Sequence, residues 1–186
     1  MYPIPKKNSM ASLLPEYVIL GLLEVRPCHG YHLLEYFRAP QHLGYVWKIS
    51  TSQLYATLKR LEHLLWIDGR EEDSVDAPIR TVYWLTEKGR IHLFEWLNMS
   101  MPSASTRHIR TEFLSRIYIA RLLKYPIQPI IDAQINACIH QLNILREERN
   151  QLDDSLGYLA IDLRIAEMNA ILTWIQATLG KKLLYE

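Results

Sequence analysis

The chain is poor in cysteine, glycine and proline. Its 186 residues include only two cysteines, Cys28 and Cys138, which lie far apart and belong to no CxxC pair. Neither a redox dithiol nor a four-cysteine zinc site can be built within one such chain, so we expect two free thiols. The seven glycines and nine prolines are too few for a collagenous or low-complexity disordered protein.

Long hydrophobic runs and an excess of charge are missing as well. No window approaches the roughly 18 consecutive apolar residues of a membrane-spanning helix, and residues 1–10 lack the apolar segment of a signal peptide. We therefore expect a cytoplasmic protein without a membrane partner. The formal net charge is +1, so only a local concentration of basic residues would indicate nucleic-acid binding.

Helical patterns fill the first part of the chain. Residues 1–9 show no periodicity and predict a flexible tail. The strongly apolar segment that follows Pro15 predicts a core helix. A second, shorter helix is predicted over residues 31–37, because apolar residues recur there at helical spacing until Pro40.

A third helix is predicted from a capping box, in which the Ser50 side chain caps the Gln53 amide and the Gln53 side chain reaches back. Four apolar positions follow at spacings of four, three and four, and we expect them to face the core. These are Leu54, Leu58, Leu61 and Leu65. The opposite side presents Ser52, Ala56, Lys59 and His63. Residues 46–61 contain three basic side chains and no acidic one.

Two strands and a further helix complete the N-terminal half. The strands are predicted over residues 67–71 and 80–85, with a polar loop too long for a tight turn between them. Thr86 is the predicted N-cap of the helix that follows. Three helices followed by a hairpin are typical of a winged helix-turn-helix domain, whose third helix enters the major groove. The alternative for that third helix is an ordinary solvated amphipathic helix.

The C-terminal half is predicted to be entirely helical. A Ser/Pro/Thr-rich linker over residues 100–106 precedes three helices, drawn at about 107–125, 127–156 and 158–179. The last helix carries two apolar seams, and a domain of this size cannot bury both internally. We therefore expect a homodimer through the C-terminal helices. The alternative is a self-contained antiparallel bundle.

Four segments of the N-terminal half resemble the PadR family of bacterial transcriptional regulators. They keep the family's order and approximate spacing through residues 13–97. The segments are Leu20-Gly21-Leu22-Leu23, Pro27-x-His29-Gly30-Tyr31-x-Leu33, Ser52-x-Leu54-Tyr55-x-x-Leu58-Lys59-Arg60-Leu61-Glu62 and Tyr83-x-Leu85-Thr86-x-x-Gly89. The helical C-terminal half resembles the family's longer members, whose C-terminal helices dimerise. The resemblance implies a dimeric repressor that binds palindromic double-stranded DNA and often releases it when a small molecule binds.

The predicted fold class is therefore mainly α, with a winged helix-turn-helix domain over residues 10–98 and a helical dimerisation domain over residues 107–186. Small residues let the third helix approach DNA, its end amides meet phosphate, and Lys or Arg neutralises phosphate charge. The predicted DNA-binding residues are Gly30, Tyr31, Lys48, Ser50, Thr51, Ser52, Gln53, Tyr55, Ala56, Lys59, Arg60, Arg80 and Thr81.

The chain departs from the family pattern in two places. Gln53 and Ala56 occupy positions where the family usually has Gly and Pro. The region between the strands, which tends toward Gly and Arg or Lys in the family, is acidic here. Its carboxylates are Glu71, Glu72, Asp73 and Asp76. We expect them to oppose binding to DNA in part, because like charges repel.

Other chemistry finds little support. The chain has no glycine-rich phosphate loop, GxSxG or HExxH motif, so we expect neither an enzyme nor a cofactor. Cys28, His29, His32 and Glu35 lie close in sequence, but His29 falls at a helix entry, so we expect no metal site. Trp96 is the best candidate for an effector contact, because it lies on the helix leading out of the winged domain. The alternative, which explains Trp96 at least as well, is core packing. The alternative function is a winged-helix module for protein–protein contact, which the neutral charge and acidic wing favour.

Overall fold

The computed structural model describes residues 15–74, 77–153 and 155–182. The predicted tail over residues 1–9 lies outside these ranges. Three helices, a hairpin and a fourth helix follow one another in the N-terminal half, in the predicted order. These elements are α1 (Glu16–Val25), β1 (Cys28–His29), α2 (Gly30–Arg38), α3 (Thr51–His63), β2 (Ile67–Ser74), β3 (Ala77–Leu85) and α4 (Glu87–Leu97).

The strands form an antiparallel sheet with the order β1-β3-β2. The two-residue strand β1, in which Cys28 pairs with Tyr83, was not predicted because so short an element leaves no alternating pattern. The prediction of a long hairpin loop was wrong: β2 and β3 extend far enough for Ser74 to pair with Ala77. Backbone pairing continues through the polar residues because it does not require apolar side chains. A bulge between Glu72 and Ser74 shifts the register there.

The core forms around α1, whose residues from Val18 to Leu23 are buried. Gly21 allows a close approach to α6 (Leu114–Leu122), since an added Cβ would lie 2.4 Å from a methyl carbon of Ile119. Three of the four predicted core leucines of α3 are completely buried. Leu65 is the exception and is 66% exposed, because α3 ends at His63 before Leu65 can continue the apolar stripe.

The predicted helix over residues 107–125 is interrupted by a π-helical segment. A single turn, α5 (Thr106–His108), leads into π-helical Ile109–Phe113 and then into α6. The hydroxyls of Thr111 and Ser115 each donate to the carbonyl four residues earlier, at 2.7 Å. Such side-chain bonds compete with the regular backbone pattern and bend helices. Periodicity alone does not reveal this insertion.

A buried arginine joins α4 to α6. Arg116 is 1% exposed, and its Nη2 donates to the carbonyl oxygens of Leu97 at 2.8 Å and Met99 at 3.1 Å. It thereby satisfies carbonyl groups at the end of α4. Burial lowers the pKa of the Arg116 guanidinium, and neighbouring Glu112 opposes that shift. The winged part and the helical part are thus tied together by polar bonds as well as by a shared core.

The last two helices, α7 (Gln128–Asn150) and α8 (Leu156–Lys182), pack against each other. One seam of α8 faces α7 and the core, and it contains buried Ile165, Met168, Ile175 and Leu179. The second seam is exposed: Leu159 is 59%, Leu163 62% and Trp174 40% accessible. Within the described ranges, no helix is both long and apolar enough to span a membrane.

Candidate nucleic-acid interface

The capping box at the start of α3 is formed as predicted. Ser50 Oγ accepts a hydrogen bond from the Gln53 amide at 3.2 Å, and Gln53 Oε1 accepts one from the Ser50 amide at 2.9 Å. Ser52 Oγ also lies 3.0 Å from Ser50 Oγ. This network holds the first turn of α3 in an exposed position. Because the Gln53 side-chain oxygen is engaged in the cap, only its amide NH2 group remains to meet another molecule.

The side of α3 opposite the buried leucines is exposed as predicted. Its four positions, Ser52, Ala56, Lys59 and His63, are all accessible, and we call them the outer face of α3. A helix N-terminus carries free amides and a partial positive charge that favour phosphate. Short side chains beside that terminus leave room for a close partner, and Lys59 adds a full positive charge about two turns beyond Ser52.

Two basic residues flank the start of α3. Arg38, the last residue of α2, donates from Nη2 to Thr51 Oγ1 at 3.0 Å. It lines a cleft of about 420 Å³ together with exposed Lys48 and the capping residue Ser50. Lys48 was predicted for this region, whereas Arg38 was missed. The sequence signal for Arg38 was a basic residue at the C-terminal end of the helix that precedes α3.

Tyr31 and Arg80 meet at the start of α2. The Arg80 guanidinium lies 5.5 Å from the centre of the Tyr31 ring, in a cation–π arrangement. The His29 ring also stacks with the Tyr31 ring, at a centroid distance of 5.4 Å. His29 Nδ1 in turn lies 3.2 Å from the Thr81 carbonyl oxygen. The predicted residues Tyr31, Arg80 and Thr81 therefore come together where the start of α2 meets β3.

Gly30 connects this cluster to α3 through the Tyr55 ring. An added Cβ at Gly30 would lie 2.9 Å from a ring carbon of Tyr55, so only glycine allows this approach without a shift. Gly30 is buried, whereas Tyr55 remains 44% exposed. The role of Gly30 is therefore to bring α2 against α3, and the Tyr55 ring is the exposed group at this junction.

The predicted DNA contact Arg60 has a partner inside the protein. Its Nε lies 2.6 Å from Glu16 Oε1, and the Glu16 side chain is only 10% exposed. In the wing, Glu71 and Glu72 are exposed and lie opposite Thr81 and Arg80. Asp76 lies outside the described residues, and the side chain of Asp73 is likewise not described.

Trp96, the predicted effector contact, belongs to the core. It is 3% exposed, its ring stacks on Tyr17 at 5.4 Å, and its Nε1 donates to Glu112 at 3.1 Å. A ligand would reach the Trp96 ring only by displacing a neighbour such as Tyr17. In the part of the chain that the structure describes, no three His, Cys, Asp or Glu side chains gather as a metal site would require.

The arrangement of a capped third helix, packed on two others and followed by an antiparallel hairpin, defines a winged helix-turn-helix domain. Residues 19–95 match the profile of the transcriptional regulator PadR-like family. This part of the chain is similar to that family, as the motifs from Leu20 to Gly89 predicted.

Two curated relatives match the chain over more residues than the family profile does. The chain is 32% identical over 108 residues to the negative transcriptional regulator PadR of Bacillus subtilis, which covers 58% of this chain and 57% of that protein. It is 29% identical over 94 residues to a probable transcriptional regulator of Mycobacterium tuberculosis, and this match covers 50% of this chain and 47% of that protein. The matched region thus spans about half the length of either relative.

A solved structure of Bacillus subtilis PadR in complex with operator DNA is also similar. It is 24% identical, covers 89% of this chain and 97% of that one, and superposes with a TM-score of 0.45.

Proposed function

We propose that this protein is a sequence-specific DNA-binding transcriptional regulator, a repressor that acts as a homodimer on an inverted-repeat operator. The observation that carries the proposal is the outer face of α3. It is exposed, rich in short side chains, free of acidic residues and located next to a capped helix start. In a winged helix-turn-helix protein of a regulator family, this face belongs in the major groove.

Each predicted contact has a distinct role in the proposal. Ser52 and the free Gln53 amide group would meet base edges, where they read sequence. Lys59, Lys48 and the amides at Thr51 would meet phosphates, which position the protein without reading sequence. Arg80 and Thr81 on the wing side would add backbone contacts.

Dimerisation would use the exposed seam of α8. A seam containing Leu159, Leu163 and Trp174 exposes apolar surface that a second copy can cover. The division into a DNA-binding domain over residues 10–98 and a dimerisation domain over residues 107–186 belongs to this proposal. The two copies of α3 would then reach half-sites about one helical turn apart, or a multiple of that distance.

Regulation by a small molecule is part of the same proposal. A solved structure shows Bacillus subtilis PadR in complex with p-coumaric acid. In this chain, Trp96 joins α4 to Tyr17 of α1 and to Glu112. We infer a cytoplasmic regulator rather than an enzyme, with double-stranded DNA as its partner and without a cofactor.

The test measures binding to DNA as a function of salt. An unbiased selection from random oligonucleotides first identifies the preferred site. Lys59→Ala is then expected to weaken binding to all sequences alike and to lower the salt slope by about one unit per protomer, because one phosphate contact is lost. Ser52→Ala is expected to change base preference instead. Arg146→Ala removes an exposed charge from α7 and should leave both quantities unchanged.

Two results would contradict the proposal at different levels. A folded Lys59→Ala protein with full affinity would mean that α3 does not enter the groove. A wild-type protein without any sequence preference would favour the alternative, a winged-helix module for protein–protein contact.

A further inference from the structure

One ion pair links the proposed recognition helix to the core. Arg60 Nε of α3 lies 2.6 Å from Glu16 Oε1 in the first turn of α1. The two side chains differ sharply in exposure: Arg60 is 44% accessible and Glu16 10%. A nearly buried carboxylate is costly without a partner, and breaking such a pair leaves an uncompensated charge. The Arg60 guanidinium is therefore expected to stay in its ion pair with the Glu16 carboxylate.

The location of Arg60 separates it from the outer face of α3. At 100° per residue, Arg60 lies about 70° from the mean direction of Ser52, Ala56, Lys59 and His63. It is directed along the flank that meets α1. Lys59, its neighbour in sequence, is exposed on the outer face itself.

The partner of Arg60 sits on a firmly held element. Tyr17, next to Glu16, stacks on Trp96 of α4 at 5.4 Å with an interplanar angle of 6°. Trp96 is in turn bonded to Glu112. The start of α1 is therefore fixed from two directions, and an ion pair to it restricts rotation of α3 about its own axis.

We propose that Arg60 is a positioning residue for α3 and that Glu16 is its anchor. The pair sets the rotation of α3, and so determines which of its side chains reach base edges. The inference rests on the proposed DNA-binding function and assigns Arg60 a role different from the phosphate contact that the sequence predicted.

The decisive variant is Glu16→Gln, because it removes no positive charge and lies on α1 rather than on α3. We expect it to weaken binding to the selected operator about tenfold, which is the size of losing one base contact. Binding to unrelated DNA and the salt slope should stay at wild-type values. Arg60→Gln should show the same pattern, and the double variant Glu16→Gln/Arg60→Gln should lose no more than either single variant.

A phosphate contact by Arg60 makes the opposite predictions. Arg60→Gln would then lower the salt slope as Lys59→Ala does, and Glu16→Gln would keep full operator affinity or exceed it, because it frees the guanidinium. Either result overturns the positioning role. Circular dichroism and thermal unfolding establish that each variant is folded. If Arg60→Gln fails to fold, the double variant still tests the inference because it contains no buried unpaired charge.

The two levels of failure are distinguishable. If the wild-type protein selects no DNA sequence, the proposed function itself is wrong. If the wild-type protein is specific and Glu16→Gln is equally specific, only the positioning role is wrong.

Discussion

Burial changes the chemistry of both cysteine thiols. Cys28 lies in β1 and Cys138 in α7, and both are buried. Burial raises the pKa of the Cys28 thiol, although Arg26 partly opposes this, and burial likewise raises the pKa of Cys138 against a hydrogen bond from Gln134. The reactive form of cysteine is the thiolate. Both thiols are therefore expected to be unreactive in the folded protein.

We predict that the native protein reacts slowly with a thiol reagent at pH 8, and that two thiols react at the rate of free cysteine after unfolding in guanidinium. The measurement is absorbance from an aromatic disulfide reagent, with glutathione as the control. A full equivalent released rapidly from the folded protein would contradict the buried environment of at least one thiol.

Protonation of the Glu62 carboxylate on α3 is coupled to folding. Burial, followed by the charge of Asp68, raises the pKa of the Glu62 carboxyl. The folded state therefore binds this proton more tightly than the unfolded state does. The favourable contribution of the Glu62 carboxyl to the free energy of unfolding is present at low pH. It is lost as the pH rises through the pKa of this group in the folded protein.

Glu62→Gln is accordingly expected to stabilise the protein at pH 7, by less than about 1 kcal/mol because the carboxylate is partly hydrated. The gain should disappear below the ordinary pKa of glutamate, where the wild-type side chain is already neutral. Urea unfolding measures the change in the free energy of unfolding at pH 7 and at pH 4. Glu147→Gln on the exposed side of α7 is the control. An equal gain at the two pH values would exclude a protonation effect.

At the scale of elements, α3 and α6 end in the same way without glycine. Leu65 and Lys124 have φ angles of 59° and 52°, in the left-handed region that favours glycine. After α3, the Leu65 amide donates to the Glu62 carbonyl and the Trp66 amide to the Leu61 carbonyl. This pair of bonds is the Schellman arrangement, whose left-handed residue is usually glycine.

Leu65→Gly is predicted to raise the free energy of unfolding by about 0.5–1 kcal/mol. Glycine adopts the positive φ angle without the strain that the leucine Cβ causes. Leu65 is 66% exposed, so little apolar contact is lost. Leu65→Ala, which keeps the Cβ, should gain nothing and is the matched control. A destabilised glycine variant would show that the Leu65 side chain makes contacts that matter.

At the scale of the whole molecule, the two faces of α8 serve different contacts. The seam with Ile165 and Met168 packs against the rest of the chain, whereas the seam with Leu163 does not. A charge placed on the second seam is therefore harmless to the isolated protomer. In a dimer that covers this seam, the same charge would be buried without a partner, at a cost of several kcal/mol.

Leu163→Glu is predicted to convert a dimer into a folded monomer at micromolar concentration. Sedimentation equilibrium measures the mass, and thermal unfolding checks the fold. Gln176→Glu adds the same charge at an exposed position away from this seam and should leave the dimer intact. A wild-type protein that sediments as a monomer would contradict the proposed homodimer. A Leu163→Glu protein that remains dimeric would show that the dimer interface lies on another surface.

Local signals in the sequence determined the order of the main helices and the hairpin in the N-terminal half, the capping box at Ser50 and the exposed outer face of α3. Each depends on residues within one or two turns of each other, so spacing and cap chemistry are sufficient to predict it. The motif around Leu54 to Glu62 likewise predicted the similarity to the PadR-like family over residues 19–95, because it lies within one continuous segment.

Only the tertiary structure decided the partners of those side chains. The sequence predicts Arg60 as a DNA contact on a locally basic helix. Its pairing with Glu16 depends on how α1 packs against α3. From the sequence, Trp96 is a candidate effector contact or a core residue, and the contacts with Tyr17 and Glu112 place it in the core. The physical reason is that periodicity specifies which face of a helix is apolar, whereas contacts between distant segments depend on the packing of those faces in three dimensions.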